Sequence, residues 1–275
     1  MRAPAANLWP ALTRRLARAD TLALLSDFDG TLAPFAARPQ TARLPDSTRR
    51  ALARLARCPR LRLAIVSGRR LKELRRLVPV PNIWYVGSHG LEVYTPRGRY
   101  SVKASAAECR RMTGLRRRLG RRLRRLPGIW VEPKPASVSV HFRRAAPAAA
   151  RQARAIVAEE WHRLNPFVRL QEGKKVWEFL PARDVSKAAA AARLLARWRG
   201  QTPARLGAAP QVSRRRLRAL YLGDDQADEL VFRRLGPAAI SIHVGPGPTR
   251  ARYRLGSPQA VGRFLSRLGE ALGCA

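Results

Sequence analysis

Two rhythms of apolar and polar positions run along the chain. "TLALL" at 21–25 is a short unbroken apolar run, the pattern of a strand buried on both faces, and it stops at Asp27. "RLRLAIV" ends in the same way at Ser67-Gly68-Arg69, and "NIWYV" at Gly87-Ser88-His89-Gly90. "LRALYL" ends at Gly223-Asp224-Asp225, and "AAISIHV" completes the series. Between these runs the apolar residues fall at helical spacing. One such segment is opened by Asp46 or Ser47, and one starts near Leu71. Another is opened by Asp184 or Ser186, one follows the acids at 224–228, and a last runs from about Pro258 to near Leu272. A short basic lead-in helix is expected over 1–20. Strand alternating with helix predicts a parallel sheet.

The rhythm changes after about residue 103. "LRRRLGRRLRRL" puts leucines at 115, 119, 123 and 126, which is helical spacing with arginines on the outer face. In "SVSVHFR", Val138, Val140 and Phe142 alternate with Ser137, Ser139, His141 and Arg143, the pattern of a half-buried antiparallel strand. A helix with Pro147 near its start follows, then "KKVWEFLP" as one more strand. This helix–strand–strand–helix–strand block predicts an α+β domain over 104–180, inserted into a core formed by 1–103 and 181–275.

Composition changes the picture in three ways. With 46% hydrophobic residues in 275, the chain can build a real core. Its net charge of +37 suggests nucleic acid, yet 49 of the 55 basic residues are arginines spread over the whole chain with no aromatic interleaving. The densest run reads as a solvated helix face, so no specific nucleic-acid partner is expected. Cysteines 58, 109 and 274 form no CxxC pair and no even framework, which predicts a reducing compartment and no structural zinc. No membrane span and no signal-type apolar run is read, so the expectation is a cytoplasmic monomer.

The candidate chemistry sits where the apolar runs stop. Asp27 and Asp29 are two apart, so on a strand they project from one face, and Gly30 permits a sharp turn. Ligands of open α/β sheets lie beyond the carboxyl ends of the strands. Two acids held close repel unless a cation neutralises them or one keeps its proton, which suits a nucleophilic carboxylate beside a general acid with a hard metal such as Mg²⁺. Ser67 offers a hydroxyl at the next strand end, and Lys187 lies at a helix start that already favours anions. Asp225 and Asp228 can share one side of a first helical turn. Each has a plainer reading as well. The first pair could be a solvated turn, Ser67 an N-cap, Lys187 a solvated helix residue, and Asp224, Asp225 and Asp228 a complement to a helix dipole.

Taken together, "DFDGT", "SGR", "SK" opening a helix and "GDDQADE" resemble the haloacid dehalogenase superfamily of phosphatases. "VGSHG", "VEPKPASVSVHFR", "EGKKVWEFLP" and "VGPGPTRARYRL" resemble one branch, the trehalose-6-phosphate phosphatases, over about 22–268. The resemblance implies a Rossmann-like parallel-sheet α/β core with an inserted α+β cap that reads the sugar of a small-molecule sugar phosphate. It implies Asp27 as nucleophile and Asp29 as general acid and base. Mg²⁺ would be held by Asp27, the Asp29 carbonyl and Asp224, with Asp225 and Asp228 ordering its water. Thr31, Ser67, Gly68 and Lys187 would hold the phosphoryl group. Arg69, His89, Lys134, His141, Arg143, Lys174 and Glu178 would contact substrate. Related phosphosugar phosphatases share the core motifs, and a polyanion-binding protein on a degenerate fold of this kind is the reading from another class. Ala227 stands where the family usually has Thr, and Ala188 where Gly usually follows the motif lysine.

Overall fold

The computed structural model describes residues 8–17, 21–36, 41–101, 104–134, 136–173, 175–200 and 217–274. The chain divides into two compact units, one made of Met1–Tyr100 with Ser186–Ala275 and the other of Ser101–Val185.

In the first unit, α1 (Leu8–Ala17) precedes β1 (Thr21–Ser26), α2 (Asp46–Leu55), β2 (Leu61–Val66), α3 (Leu71–Leu77), β3 (Trp84–Gly87), β4 (Glu92–Thr95) and β5 (Gly98–Ser101). The sheet order is β12-β11-β10-β1-β2-β3-β4-β5, where β10 is Leu217–Gly223, β11 Ile240–Val244 and β12 Tyr253–Leu255. The six strands from β12 to β3 pair in parallel, and β4 turns back antiparallel to β3. All six residues of β1 are buried, as a strand covered on both faces requires. One face of the sheet packs Leu22, Leu24, Ile65, Leu220 and Ile242 with Leu52, Val261 and Leu265. The other packs Ala23, Leu25, Ala64, Val66, Ala219 and Tyr221 with Ala191, Leu194 and Val231. The remaining helices of this unit are α6 (Lys187–Trp198), α7 (Gln226–Leu235) and α8 (Pro258–Ala271). Ser186 caps α6 by accepting from the Ala189 amide, and Ser257 caps α8 from the Ala260 amide.

The second unit holds α4 (Ala106–Leu123), β6 (Trp130–Lys134), β7 (Ser137–His141), α5 (Pro147–Leu164), β8 (Val168–Gly173) and β9 (Val176–Pro181). Its antiparallel sheet has the order β6-β7-β9-β8. Val138, Val140 and Phe179 pack with Leu115, Leu119, Ala153 and Val157 of the two helices. A capping box between Ser105 and Glu108 starts α4.

Two expectations need correction. β8 was not anticipated, because "VRLQEG" has neither an apolar run nor a strong alternation, and "KKVWEFLP" begins its strand only at Val176. Cys58 and Cys274, 216 residues apart, form a disulfide with a Cα separation of 5.2 Å, leaving Cys109 as the free thiol. Counting spacings cannot reveal a pair that only the packing of α2 against α8 brings together. Among the described residues no helix is long and apolar enough to cross a membrane.

Candidate active site

The carboxyl ends of β1, β2 and β10 and the first turns of α6 and α7 carry the chemistry-bearing residues. β1 stops at Ser26, so Asp27 and Asp29 lie in the turn that follows rather than on the strand itself. That turn is tight. Leu32 and Ala33 both donate to the Phe28 carbonyl, and the Asp27 amide donates to Leu222 of the neighbouring strand at 2.9 Å. Gly30 has φ +79°, and a Cβ there would lie 2.3 Å from Asp224 Oδ2. Only glycine allows the turn and Asp224 to approach this closely. Thr31 Oγ1 donates to Asp224 Oδ1 at 3.0 Å.

Lys187 is the centre of charge. Its ammonium lies 3.0 Å from Asp27 Oδ1, 3.0 Å from Asp228 Oδ1 and 3.5 Å from Asp225. Asp228 is fully buried and has its acceptors engaged. Oδ1 also accepts from the Tyr221 hydroxyl at 2.8 Å, while Oδ2 accepts from the Asp224 and Asp225 amides at 2.9 and 3.2 Å. Asp225 completes a capping box for α7 by accepting from the Asp228 amide. The helix-cap role and the charge cluster therefore share the same two side chains.

Four carboxylates, Asp27, Asp224, Asp225 and Asp228, stand against this one ammonium. Burial raises Asp27 well above the usual carboxylate range. Lys187 opposes that rise, while Asp228, Asp225 and Asp224 add to it. Burial alone would lower Lys187, but Asp225, Asp228 and Asp27 outweigh it and raise it. Carboxylate oxygens of Asp27, Asp225 and Asp228 lie within 4.8 Å of one another. A hard-oxygen donor set with excess negative charge fits a dication such as Mg²⁺.

Asp29 is engaged elsewhere. Arg69 grips it with Nε at 2.6 Å from Oδ2 and Nη2 at 2.7 Å from Oδ1. Arg69 also reaches Glu73 and lies over the Phe28 ring at 5.4 Å. Ser67 is buried and accepts from the Arg69 amide at 3.2 Å, with Gly68 between them. His89 is buried in a single 3₁₀ turn with φ +56°, next to Ser88 at φ +49°. Ser88 and the Leu71 amide both donate to Glu92. The structure thus gathers Asp27, Lys187, Asp225 and Asp228 into one group, sets Asp224 beside Thr31 and Gly30, and pairs Asp29 with Arg69. Tyr221 and Glu73 were not foreseen. Tyr221 sits inside an apolar strand, where its only signal is a hydroxyl that must find a partner when buried.

In the second unit the polar residues of β6, β7 and β9 form a row. Glu132 pairs in register with Ser139, and Ser139 with Glu178. Glu178 accepts from Lys134 and Ser139, each at 3.1 Å, and His141 meets Glu132 at 2.7 Å. Arg143 lies in the turn after β7, and Lys174 lies outside the described residues.

The trehalose-phosphatase family signature matches residues 25–259. A trehalose-phosphate phosphatase of Mycobacterium tuberculosis is 36% identical over 263 residues, covering 91% of this chain. The chain spans 62% of that relative's length. The C-terminal domain of a C. albicans trehalose-6-phosphate phosphatase shares the fold at a TM-score of 0.78 and 23% identity, covering 97% of both chains. A trehalose-6-phosphate phosphatase of Aspergillus fumigatus aligns at 0.65 and 26% identity, covering 95% of this chain and 97% of that one. With its signature residues at the strand ends of a matching α/β fold, the chain belongs to the trehalose-phosphatase family.

Proposed function

We propose that the chain hydrolyses trehalose 6-phosphate to trehalose and phosphate through a phosphorylated Asp27. The observation that carries this reading is the Lys187 ammonium 3.0 Å from both Asp27 and Asp228, which fixes a buried carboxylate beside a cation at a strand end. Asp27 attacks phosphorus, and the bond to the sugar oxygen breaks. Asp29, released from Arg69 and carrying a proton taken up from solvent, gives that proton to the leaving oxygen. Water then attacks the aspartyl phosphate, Asp29 takes its proton, and phosphate leaves with Asp27 restored. Lys187 and the Ser67 hydroxyl hold the phosphoryl oxygens, and Thr31 keeps Asp224 in place. Asp27, Asp224 and Asp225 would hold Mg²⁺, with Asp228 fixing the turn beneath them, and the ion would supply the positive charge that phosphoryl transfer demands.

Sugar recognition falls in this reading to the second unit, where Lys134, Ser139 and Glu178 form a hydrogen-bonded polar group. Phosphate release with Mg²⁺ across trehalose 6-phosphate, sucrose 6-phosphate, glucose 6-phosphate and p-nitrophenyl phosphate tests both parts. Trehalose 6-phosphate should lead, and Asp27→Asn should abolish turnover by several decades. Near-normal release by Asp27→Asn would sink the mechanism, and preference for a monosaccharide ester would sink the substrate.

A further inference from the structure

The motifs leave the strong positive charge of the second unit unused, and its arginines sort by what they touch. Along α4, Arg118 pairs with Glu160, and Arg122 with Glu159 and Glu160, across the seam to α5. Arg111 lies 4.1 Å from the centre of the Phe167 ring. The one acid of α4, Glu108, is taken by Arg183 and by its cap. Every acid on the two helices is therefore committed. Arg110, Arg116, Arg117, Arg121, Arg124 and Arg125 remain exposed, and none of them has a carboxylate partner among the described residues.

Their spacing makes a stripe. Residues 110, 117, 121 and 124 fall on one face of a 3.6-residue helix, and at 1.5 Å per residue they span about 21 Å. The opposite face is Met112, Leu115, Leu119 and Leu123, all buried in the unit's core. We infer that this stripe binds the phosphate backbone of double-stranded nucleic acid without sequence preference, in addition to the activity proposed above.

The chemistry favours that occupant over others. Guanidinium groups bind phosphate oxygens in bidentate fashion, and a duplex offers a long row of them. A membrane-surface helix needs a free apolar face, and this one is buried. Single strands need a row of aromatic platforms, whereas Phe167, the exposed aromatic beside α4, is taken by Arg111, about 100° around the helix from Arg110, and the exposed residues among the arginines of the stripe are Thr113 and Gly120. A protein partner would need an apolar anchor, which the stripe lacks.

The experiment measures binding of the full chain to a fluorescent 20-base-pair duplex by anisotropy, from 50 to 300 mM NaCl. Four phosphate contacts, one from each arginine of the stripe, predict a slope of log K against log salt of about −4. Arg117→Gln, Arg121→Gln and Arg124→Gln together should flatten the slope to about −1 and weaken binding at least tenfold at 100 mM salt. Exposed Arg50, Arg57 and Arg76 of the other unit, all changed to Gln, remove the same charge and should leave the slope within one unit of wild type. Equal losses in the two triple variants would overturn the stripe in favour of net charge. So would binding to phosphatidylserine vesicles with none to the duplex. Circular dichroism and phosphatase turnover should match wild type in both variants, which separates this outcome from any failure of the proposed reaction.

Discussion

Replacing Lys187 by Met keeps its length and removes its charge. Its ammonium touches two carboxylates at 3.0 Å and a third at 3.5 Å, and its side chain is only 4% exposed. Removing one partner of a buried ion pair typically costs about 3–5 kcal/mol, because the remaining charge is left uncompensated. Here three acids lose the same cation, so the upper end applies. The loss divides between two readouts. In the free protein it appears as stability, since Asp27 and Asp228 must then take protons or repel. In the proposed reaction it would appear as lost stabilisation of the phosphoryl group, and about 4 kcal/mol corresponds to roughly three decades in kcat/KM. Thermal unfolding in EDTA and in 5 mM MgCl₂ separates them. Lys187→Met should melt well below wild type in EDTA and recover more of that deficit on adding Mg²⁺ than wild type gains, because a dication restores charge that the lysine no longer supplies. A variant with wild-type kcat/KM and an unchanged melting temperature in EDTA would refute the charge argument itself, not only its size.

Tyr221→Phe removes a single hydroxyl from Asp228. It should cost about 1–3 kcal/mol in denaturant unfolding, as expected for leaving one partner of a buried hydrogen bond unsatisfied, with an unchanged m-value. The Cys58–Cys274 bond closes a loop of 216 residues, for which chain entropy sets an upper limit of about 5 kcal/mol. Reduction should lower the melting temperature of wild type but not of Cys58→Ser, and non-reducing peptide mapping should recover the linked pair. Glu132 tends upward by burial, but the hydrogen bond from His141 and the nearby Lys134 hold it below its ordinary value despite Glu178. A lowered folded pKa gives stability that is present above the unfolded value of about 4.3 and lost as pH falls through the folded value. The stability gap between wild type and Glu132→Gln should therefore narrow as pH falls through about 4.3 and close below about pH 4.

The α/β core was legible because strands covered on both faces are dominated by apolar residues, as "LALL", "LAIV" and "ALYL" are, and "ISIHV" departs from that only at Ser241 and His243. Each run stops where the backbone turns toward solvent-facing chemistry, so strand ends and chemical groups coincide in the sequence. Strands at the margins were not legible. β12 is three residues, "YRL", and β8 is "VRLQEG", and neither needs two apolar faces. In the site, residue types were readable and partners were not. Asp27 and Asp29 read as a pair two residues apart, yet the fold gives one to Lys187 and the other to Arg69. Those pairings span 160 and 40 residues, and no local pattern encodes which cation meets which acid.

The turn at 223–228 explains why the missing hydroxyl at position 227 need not disorder the acidic loop. Its amides are already accounted for: those of Asp224 and Asp225 donate to Asp228, and that of Asp228 donates to Asp225. Ala227 is buried at the start of α7, where a hydroxyl would need a partner of its own. Gly223 supports the same arrangement, since a Cβ there would lie 2.3 Å from Asp228 Cγ. The order of the loop thus rests on backbone geometry and on two carboxylates that cap the helix. Those carboxylates also face Lys187, so the helix N-terminus and the ammonium stabilise the same negative charge from two sides. The loop keeps its shape through contacts that the proposed phosphoryl transfer at Asp27 would also use, so a substitution that spoils the one is expected to spoil the other.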